Sequence, residues 1–226
     1  MIADDTYIAR CLQLLGEWDA ALDVLGPDTD TELRAEIAVD RWFFRIEHHE
    51  EAEKAVAALD PASPTAHILT GRLAYSRLLF KHEPRPDDRA VAEAGYHAAV
   101  ESGDEKERGW AEYHWAVLLD NIDQDAAGAL PRYETALEIA TKTGDAYFES
   151  YIIRHLAPHK EPAERLAMLR RSLHLRAALG ARPQTIAAQA FLAANLPEDD
   201  PERAELQQIS RSGAEELRIG WLLSEV

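Results

Sequence analysis

GDAYFESYIIRHLA, residues 144 to 157, has two companions in the same chain, GDEKERGWAEYHWA at 103 to 116 and GARPQTIAAQAFLA at 180 to 193. In all three a glycine opens the segment, a bulky residue followed by alanine closes it, and one column holds His114, His155 and Phe191. The segments before the glycines align too: ALPRYETALEIATKTG (129 to 144) lies over RLAMLRRSLHLRAALG (165 to 180), with Leu130 over Leu166, Tyr133 over Leu169 and Leu137 over Leu173. The offsets are 41 and then 36 residues, and both frames agree on the second. Self-similarity at this period marks stacked helix pairs.

A single amphipathic helix of about 12 to 16 residues cannot bury its apolar face alone, so such units must stack. Turn chemistry divides the chain into six predicted pairs, at 5–27, 31–60, 63–102, 104–143, 145–179 and 182–218. GPDTD (26–30), DPASP (60–64), KHEPRPDD (81–88), PHKEP (158–162) and LPEDDP (196–201) concentrate Pro and Asp between periodic runs, with Pro162 suited to the first position of a helix. The tail IGWLLSEV reads as the end of a capping helix that covers the last pair, and no strand is expected. The whole of 1–226 is predicted to be one domain.

These units resemble tetratricopeptide repeats, whose pattern runs W-x2-L-G-x2-Y, then A-x3-F, then P. Ala129, Tyr133 and Ala136 fit the second helix of such a unit, and LLGEWDAALDVL (14–25) has the Gly, aromatic and Ala-Ala spacing of a first unit's turn and second helix. The small residue after the bulky one is alanine (Ala74, Ala116, Ala157, Ala193) in place of the family's glycine, and the closing proline is clear at Pro27 and Pro61. SLHLRAALGARPQTIAAQAFLA is similar to repeats in the sensor arms of large bacterial transcriptional regulators. The resemblance implies an all-α, right-handed superhelical solenoid of about six helix pairs with a C-terminal capping helix.

It also implies that the first helix of each pair lines a concave groove. On a helical wheel, Ala111, Trp115, Leu118, Leu119 and Ile122 form one side of the fourth first helix, read as core, and Trp110, Tyr113, His114, Val117 and Asn121 the other. Equivalent positions are Ile68, Gly71, Arg72 and Tyr75 in the third pair, Tyr147, Tyr151, Arg154 and His155 in the fifth, and Ala187, Ala190, Phe191 and Ala194 in the sixth. The candidate ligand-binding residues are therefore Arg72, Tyr75, Trp110, Tyr113, His114, Tyr147, Tyr151, Arg154 and His155. Rings supply contact area with few rotors, and arginine grips a carboxylate through two parallel hydrogen bonds.

Charge and composition narrow the partners. The chain has 226 residues, 46% hydrophobic and 29% charged, and a net charge of -17. That excess lies in residues 1–150, whereas 151–226 is neutral. An acidic surface repels phosphate backbones, which argues against nucleic acid. One cysteine, Cys11, allows no internal disulfide, and no run reaches the roughly 18 to 20 apolar residues of a membrane span, so a cytoplasmic location without a membrane partner is expected.

Catalytic signatures are missing. No phosphate loop, dinucleotide fingerprint or nucleophile elbow occurs, and no cofactor is implied. Asp120 is the one acid to test as a general base, and a helix-end carboxylate bonded to backbone or arginine is the favoured reading of it. A metal site of His114, His155 and His159 is weakened by Pro158 between the last two, and HHEEAEK (48–54) carries Glu53 where H-E-x-x-H needs histidine, so neither is assigned. The expected function is a binding or scaffold protein holding a peptide or flexible protein segment in the aromatic groove. The alternative is an enzyme or small-molecule-binding protein of bacterial specialised metabolism using a pocket in the same groove, with KHEPRPDD as a lip. Self-association through an exposed end is also open. An open trough favours the peptide; a closed pocket centred on Trp110 and Tyr151 favours the small molecule.

Overall fold

The computed structural model describes residues 4–26 and 29–223, so Pro27 and the last three residues of the tail lie outside it. The described residues form thirteen α-helices and one 3-10 turn, with no strand. The helices are α1 (Asp5–Leu15), α2 (Trp18–Leu25), α3 (Thr31–Arg45), α4 (His49–Ala57), α5 (Pro64–Phe80), α6 (Asp88–Ser102) and α7 (Glu105–Asn121). They continue as α8 (Ala126–Thr143), α9 (Ala146–Leu156), α10 (Pro162–Ala178), α11 (Arg182–Asn195), α12 (Pro201–Leu217) and α13 (Gly220–Leu223). The six predicted pairs are α1/α2 through α11/α12. None of the helices is long and apolar enough to cross a membrane.

Local chemistry accounts for the boundaries. Asp30, Ser63, Asp104, Asp125, Asp145 and Asp200 each cap a helix N-terminus by accepting a backbone N–H. Asp104 and Glu107 make a reciprocal capping box. Pro64, Pro162 and Pro201 sit in the first turn, where a missing N–H costs nothing. Pro158 falls in the 3-10 turn Ala157–His159 that ends α9.

Each helix packs on its neighbour in sequence, and each first helix also touches the first helix beside it from α1 to α9. The α5/α6 contact is close because Gly71 and Gly95 face it. A Cβ on Gly71 would come within 2.5 Å of the Tyr96 ring, and one on Gly95 within 2.6 Å of the His67 carbonyl. Glycine at position 71 thus opens a gap between α5 and its neighbours that the fully buried Tyr96 of the outer helix α6 fills.

The two ends of the array meet. α1 packs on α11, and α13 packs on α3. One buried cluster unites Trp18, Leu25, Ile37 and Phe44 from the first two pairs with Ile186, Ala214, Leu217 and Ile219 from the C-terminal part, and Trp18 stacks on Phe44 at 5.4 Å. Buried Arg45 donates from Nε to the Leu217 carbonyl at 3.2 Å and from Nη1 to Asp19 at 2.6 Å. Arg41 and Arg218 approach the same carboxylate at 2.8 and 3.5 Å. The tail expected to cover the last pair also crosses to the first two, since Trp221 lies 6.5 Å from both Phe43 and Phe44 of α3 and packs against the cluster that holds Trp18. The apolar ends of a linear array need a cover, and here each covers the other.

Gly16 is a sensitive point of this closure. Its φ of 82° is left-handed, and a Cβ there would meet Leu217 and Pro183 at 2.9 Å. Gly16→Ala should destabilise the chain by about 2 to 4 kcal/mol, adding the left-handed penalty to overpacking. Denaturant unfolding checks this, and a loss below about 1 kcal/mol would mean that the ends do not pack as closely as described.

Candidate functional site

The first helices converge on a cavity of about 630 Å³. Its walls come from α1 (Arg10, Gln13, Leu14), α3 (Glu36, Asp40), α5 (Thr65, Ile68, Leu69, Arg72), α7 (Lys106, Glu107, Trp110, His114) and the start of α9 (Asp145, Tyr147, Tyr151), with Leu179 beyond α10. α11 contributes none of these; its alanine-rich helix packs on α1, with Ala187 and Ala188 buried.

One wall is a continuous set of rings. Trp110 lies 5.8 Å from His114 in near-parallel stacking, 4.4 Å from Phe148 and 5.4 Å edge-on to Tyr151. Behind it, Tyr96 stacks on His114 at 5.8 Å. Tyr147 and Tyr151 share a hydroxyl contact of 3.1 Å, and Gln184 donates to the Tyr147 hydroxyl at 3.0 Å. The lining also holds two ion pairs. Asp40 accepts from Arg72 and from Gln13, each at 2.7 Å, and Arg10 pairs with Glu36. Glu107 and Asp145 are occupied as helix caps. Exposed Lys106 is the one charged lining residue with no hydrogen-bond or ionic partner among the described residues.

Burial favours the neutral form of these rings. Burial, reinforced by the Arg72 charge, pushes His114 well below the ordinary imidazole range. His155 is lowered in the same way by burial and then by Arg154 and Arg176. Burial raises Tyr147 well above its usual value, and it raises Tyr75 to about 12 against the opposing hydrogen bond from Asn121. Both histidines are therefore neutral near neutral pH, and the tyrosines are phenols.

Five of the nine sequence candidates come together here: Arg72, Trp110, His114, Tyr147 and Tyr151. The other four lie outside the lining. Tyr75, Tyr113 and His155 are buried, and His155 stacks on Tyr133 at 5.9 Å. Arg154 lies over the Phe191 ring at 4.3 Å and contacts His155, one helical turn beyond Tyr151. The expected division of α7 into a core side and a groove side is corrected accordingly. Tyr113 and Val117 on the second side are as buried as Leu118 on the first, whereas Trp115 is only partly buried beneath the Arg132 guanidinium. The reason is that α7 is flanked by α5 and α9 on its inner side and by α6 and α8.

Asp120 is engaged structurally, accepting from the Tyr133 hydroxyl at 3.3 Å and facing His159 Nε2 at 3.1 Å. Its pairing with His159 and the burial of His155 leave no three-histidine set with His114. The loop at 81–87 is no lip. Arg85 binds Glu53, and His82 meets His49, so the loop lies on α4, and none of its residues lines the cavity. Sequence reading missed Asp40, Gln13 and Tyr96. Asp40 lies four residues after Glu36 on one face of α3, a legible spacing, and Gly71 in an inner helix signalled an intruding ring.

No protein-family model, curated protein or solved structure matches this chain.

Two outcomes follow from these contacts. The Tyr96 hydroxyl is buried without a partner, so Tyr96→Phe should leave stability unchanged or raise it by about 1 kcal/mol; a clear loss in thermal unfolding would show that this hydroxyl is bonded. His155 titrates lower in the folded chain than in the unfolded one, so the unfolded state takes up protons first as pH falls below about 6.5. Stability contributed by the neutral ring is complete above that pH and declines below it. His155→Phe keeps the stacking and removes the proton site, and should flatten the fall of Tm between pH 7 and 5. An unchanged slope would place the acid sensitivity elsewhere.

Proposed function

We propose that this chain is a tetratricopeptide-like repeat protein, right-handed in its superhelix, whose meeting ends turn the groove into a receptor for one compact small molecule. The observation that carries the proposal is the cavity itself. It is bounded by five first helices, Trp110 and Tyr151 are among its lining residues, and its 630 Å³ falls within the roughly 300 to 1,000 Å³ of small-molecule sites. An extended peptide needs a trough open at both ends, and the packing of α1 on α11 and of α13 on α3 works against one. The peptide reading survives only for a chain end inserted into the cavity.

The lining suggests the ligand's chemistry. A wall of Trp110, His114, Tyr147 and Tyr151 favours a flat apolar or aromatic body. The polar part of the lining is already satisfied internally through Asp40, Arg72 and Gln13, so it orients neutral polar groups without demanding a counter-charge. Lys106 at the mouth adds attraction for an acidic substituent. Ring nitrogens and phenols that neither gain nor lose protons near neutral pH are suited to holding a ligand, so binding is favoured over acid-base catalysis.

The test is a thermal-shift screen of small aromatic acids and of peptides, followed by calorimetry on the hits. A compact aromatic acid should bind, Trp110→Ala should weaken it by about ten- to thirty-fold as the loss of a central aromatic anchor, and Lys106→Glu should weaken acids more than their amides. Binding of extended peptides with no small-molecule hit, or affinities untouched by Trp110→Ala, would overturn the reading.

A further inference from the structure

Outside the cavity, the sequence stretch HHEE and the loop KHEP meet where α4 begins. His49 is the first residue of α4, and His82 and Glu83 lie in the loop between α5 and α6. One ligand atom from each of the three lies within 4.8 Å of the other two. His49 Nδ1 is 3.3 Å from His82 Nε2, and the rings meet edge to face at 4.7 Å. His49 Nε2 is 3.8 Å from a Glu83 carboxylate oxygen.

From this geometry we infer a divalent transition-metal site, of the zinc class, formed by His49, His82 and Glu83. Two ligands about 2.0 to 2.1 Å from a tetrahedral zinc stand about 3.4 Å apart, the separation these two ring nitrogens already have. Two neutral imidazoles facing each other share a single hydrogen, and a cation in its place is bound by both lone pairs at once. His49 can bind one ion through only one of its nitrogens, but with one atom from each residue all three lie within 4.8 Å of one another, so Glu83 supplies the third, anionic ligand and water completes the set. Imidazole donors select zinc-like ions over magnesium or calcium, which prefer oxygen.

The ligands are held in place by their surroundings. Lys81 and Glu83 both take left-handed φ, 51° and 45°, which folds the loop back at the end of α5. The His82 N–H donates to the Arg77 carbonyl at 3.1 Å. Arg85 grips Glu53 of α4 through both carboxylate oxygens at 2.7 and 2.9 Å, and Arg77 joins the same Glu53 to buried Asp88. A metal ion would thus clasp the loop to α4, joining the second pair to the third on the side away from the cavity. It needs none of the cavity residues and does not depend on the ligand proposed above.

The full chain should be titrated with Zn2+ against a chromophoric chelator while thermal unfolding is followed with Zn2+ and with Mg2+. Wild type should bind one zinc ion per chain and unfold at a higher temperature with Zn2+ but not with Mg2+. His49→Gln and His82→Gln should each weaken binding at least about tenfold and abolish the thermal shift. Glu83→Gln, a change at an exposed side chain, should weaken it measurably with circular dichroism unchanged. Absence of stoichiometric zinc binding in wild type, or binding that persists unaltered in both histidine variants, would overturn the site.

Discussion

Arg45 carries a constraint on which the rest of the structure depends. Its guanidinium is buried at the end of α3, 5.0 Å from the Trp18 ring centroid. A buried cation must be paired and hydrogen-bonded, and Arg45 is satisfied from two distant parts of the chain at once. Asp19 supplies the counter-charge. Burial alone would raise that carboxyl, but the hydrogen bonds and charges of Arg41 and Arg45 outweigh it and bring it down to about 2, so it remains ionised through all but strongly acid conditions. The carbonyl of Leu217, among the last of α12 and without a helical donor, supplies the second acceptor, at the negative end of that helix. If the C-terminal part moved away, Arg45 would lose that acceptor while the apolar cluster around Trp18 and Leu217 opened.

Once the ends are tied, the first helices converge, and the consequences follow in order. Convergence buries Tyr113, Val117 and His155 as well as the faces that pack within each pair. It presses Trp110 against Phe148 and Tyr151, so the aromatic side chains form one wall and not a row of separate contacts. The rest of the lining carries carboxylates and arginines in mutual pairs, which limits the net field inside the cavity although the chain as a whole is strongly acidic.

The helices and their ends were legible because each depends on local chemistry: an Asp or Ser cap, a proline in the first turn, a glycine after the last, and the 36-residue register. The meeting of the ends was not. Arg45 and Leu217 are 172 positions apart, and an arginine at a helix end reads equally well as solvated. For the same reason the candidate site was half legible. Periodicity assigned Arg72, Trp110, His114, Tyr147 and Tyr151 to one face, but it cannot tell how deep along that face a position lies. Tyr75, Tyr113 and His155 share the face and are sealed, and Arg154 passes one turn below the cavity. Partners from outside the repeat column, Asp40, Gln13 and Tyr96, were beyond the reach of an argument that followed the column.

The distribution of arginines links charge to the proposed receptor. In so acidic a chain an arginine is rarely far from a carboxylate, and most of them have one. Among the described residues, Arg154 and Arg176 lack one, as do Arg34, Arg165 and Arg203, which bind backbone carbonyls. Arg176 is buried and held by the Ser150 and Gln184 carbonyls, 4.8 Å from the centroid of the Tyr151 ring, and burial together with the Arg154 charge brings it down to about 10, still protonated near neutral pH. Two uncompensated positive charges behind an aromatic wall lower the affinity of His155 for a proton and polarise the rings that face the cavity. They cannot touch a ligand there, yet their field reaches it through a medium of low dielectric, where charges act over longer distances than in water. Under the proposed small-molecule reading, an acidic group would be favoured from two directions, by Lys106 at the mouth and by these arginines at the back.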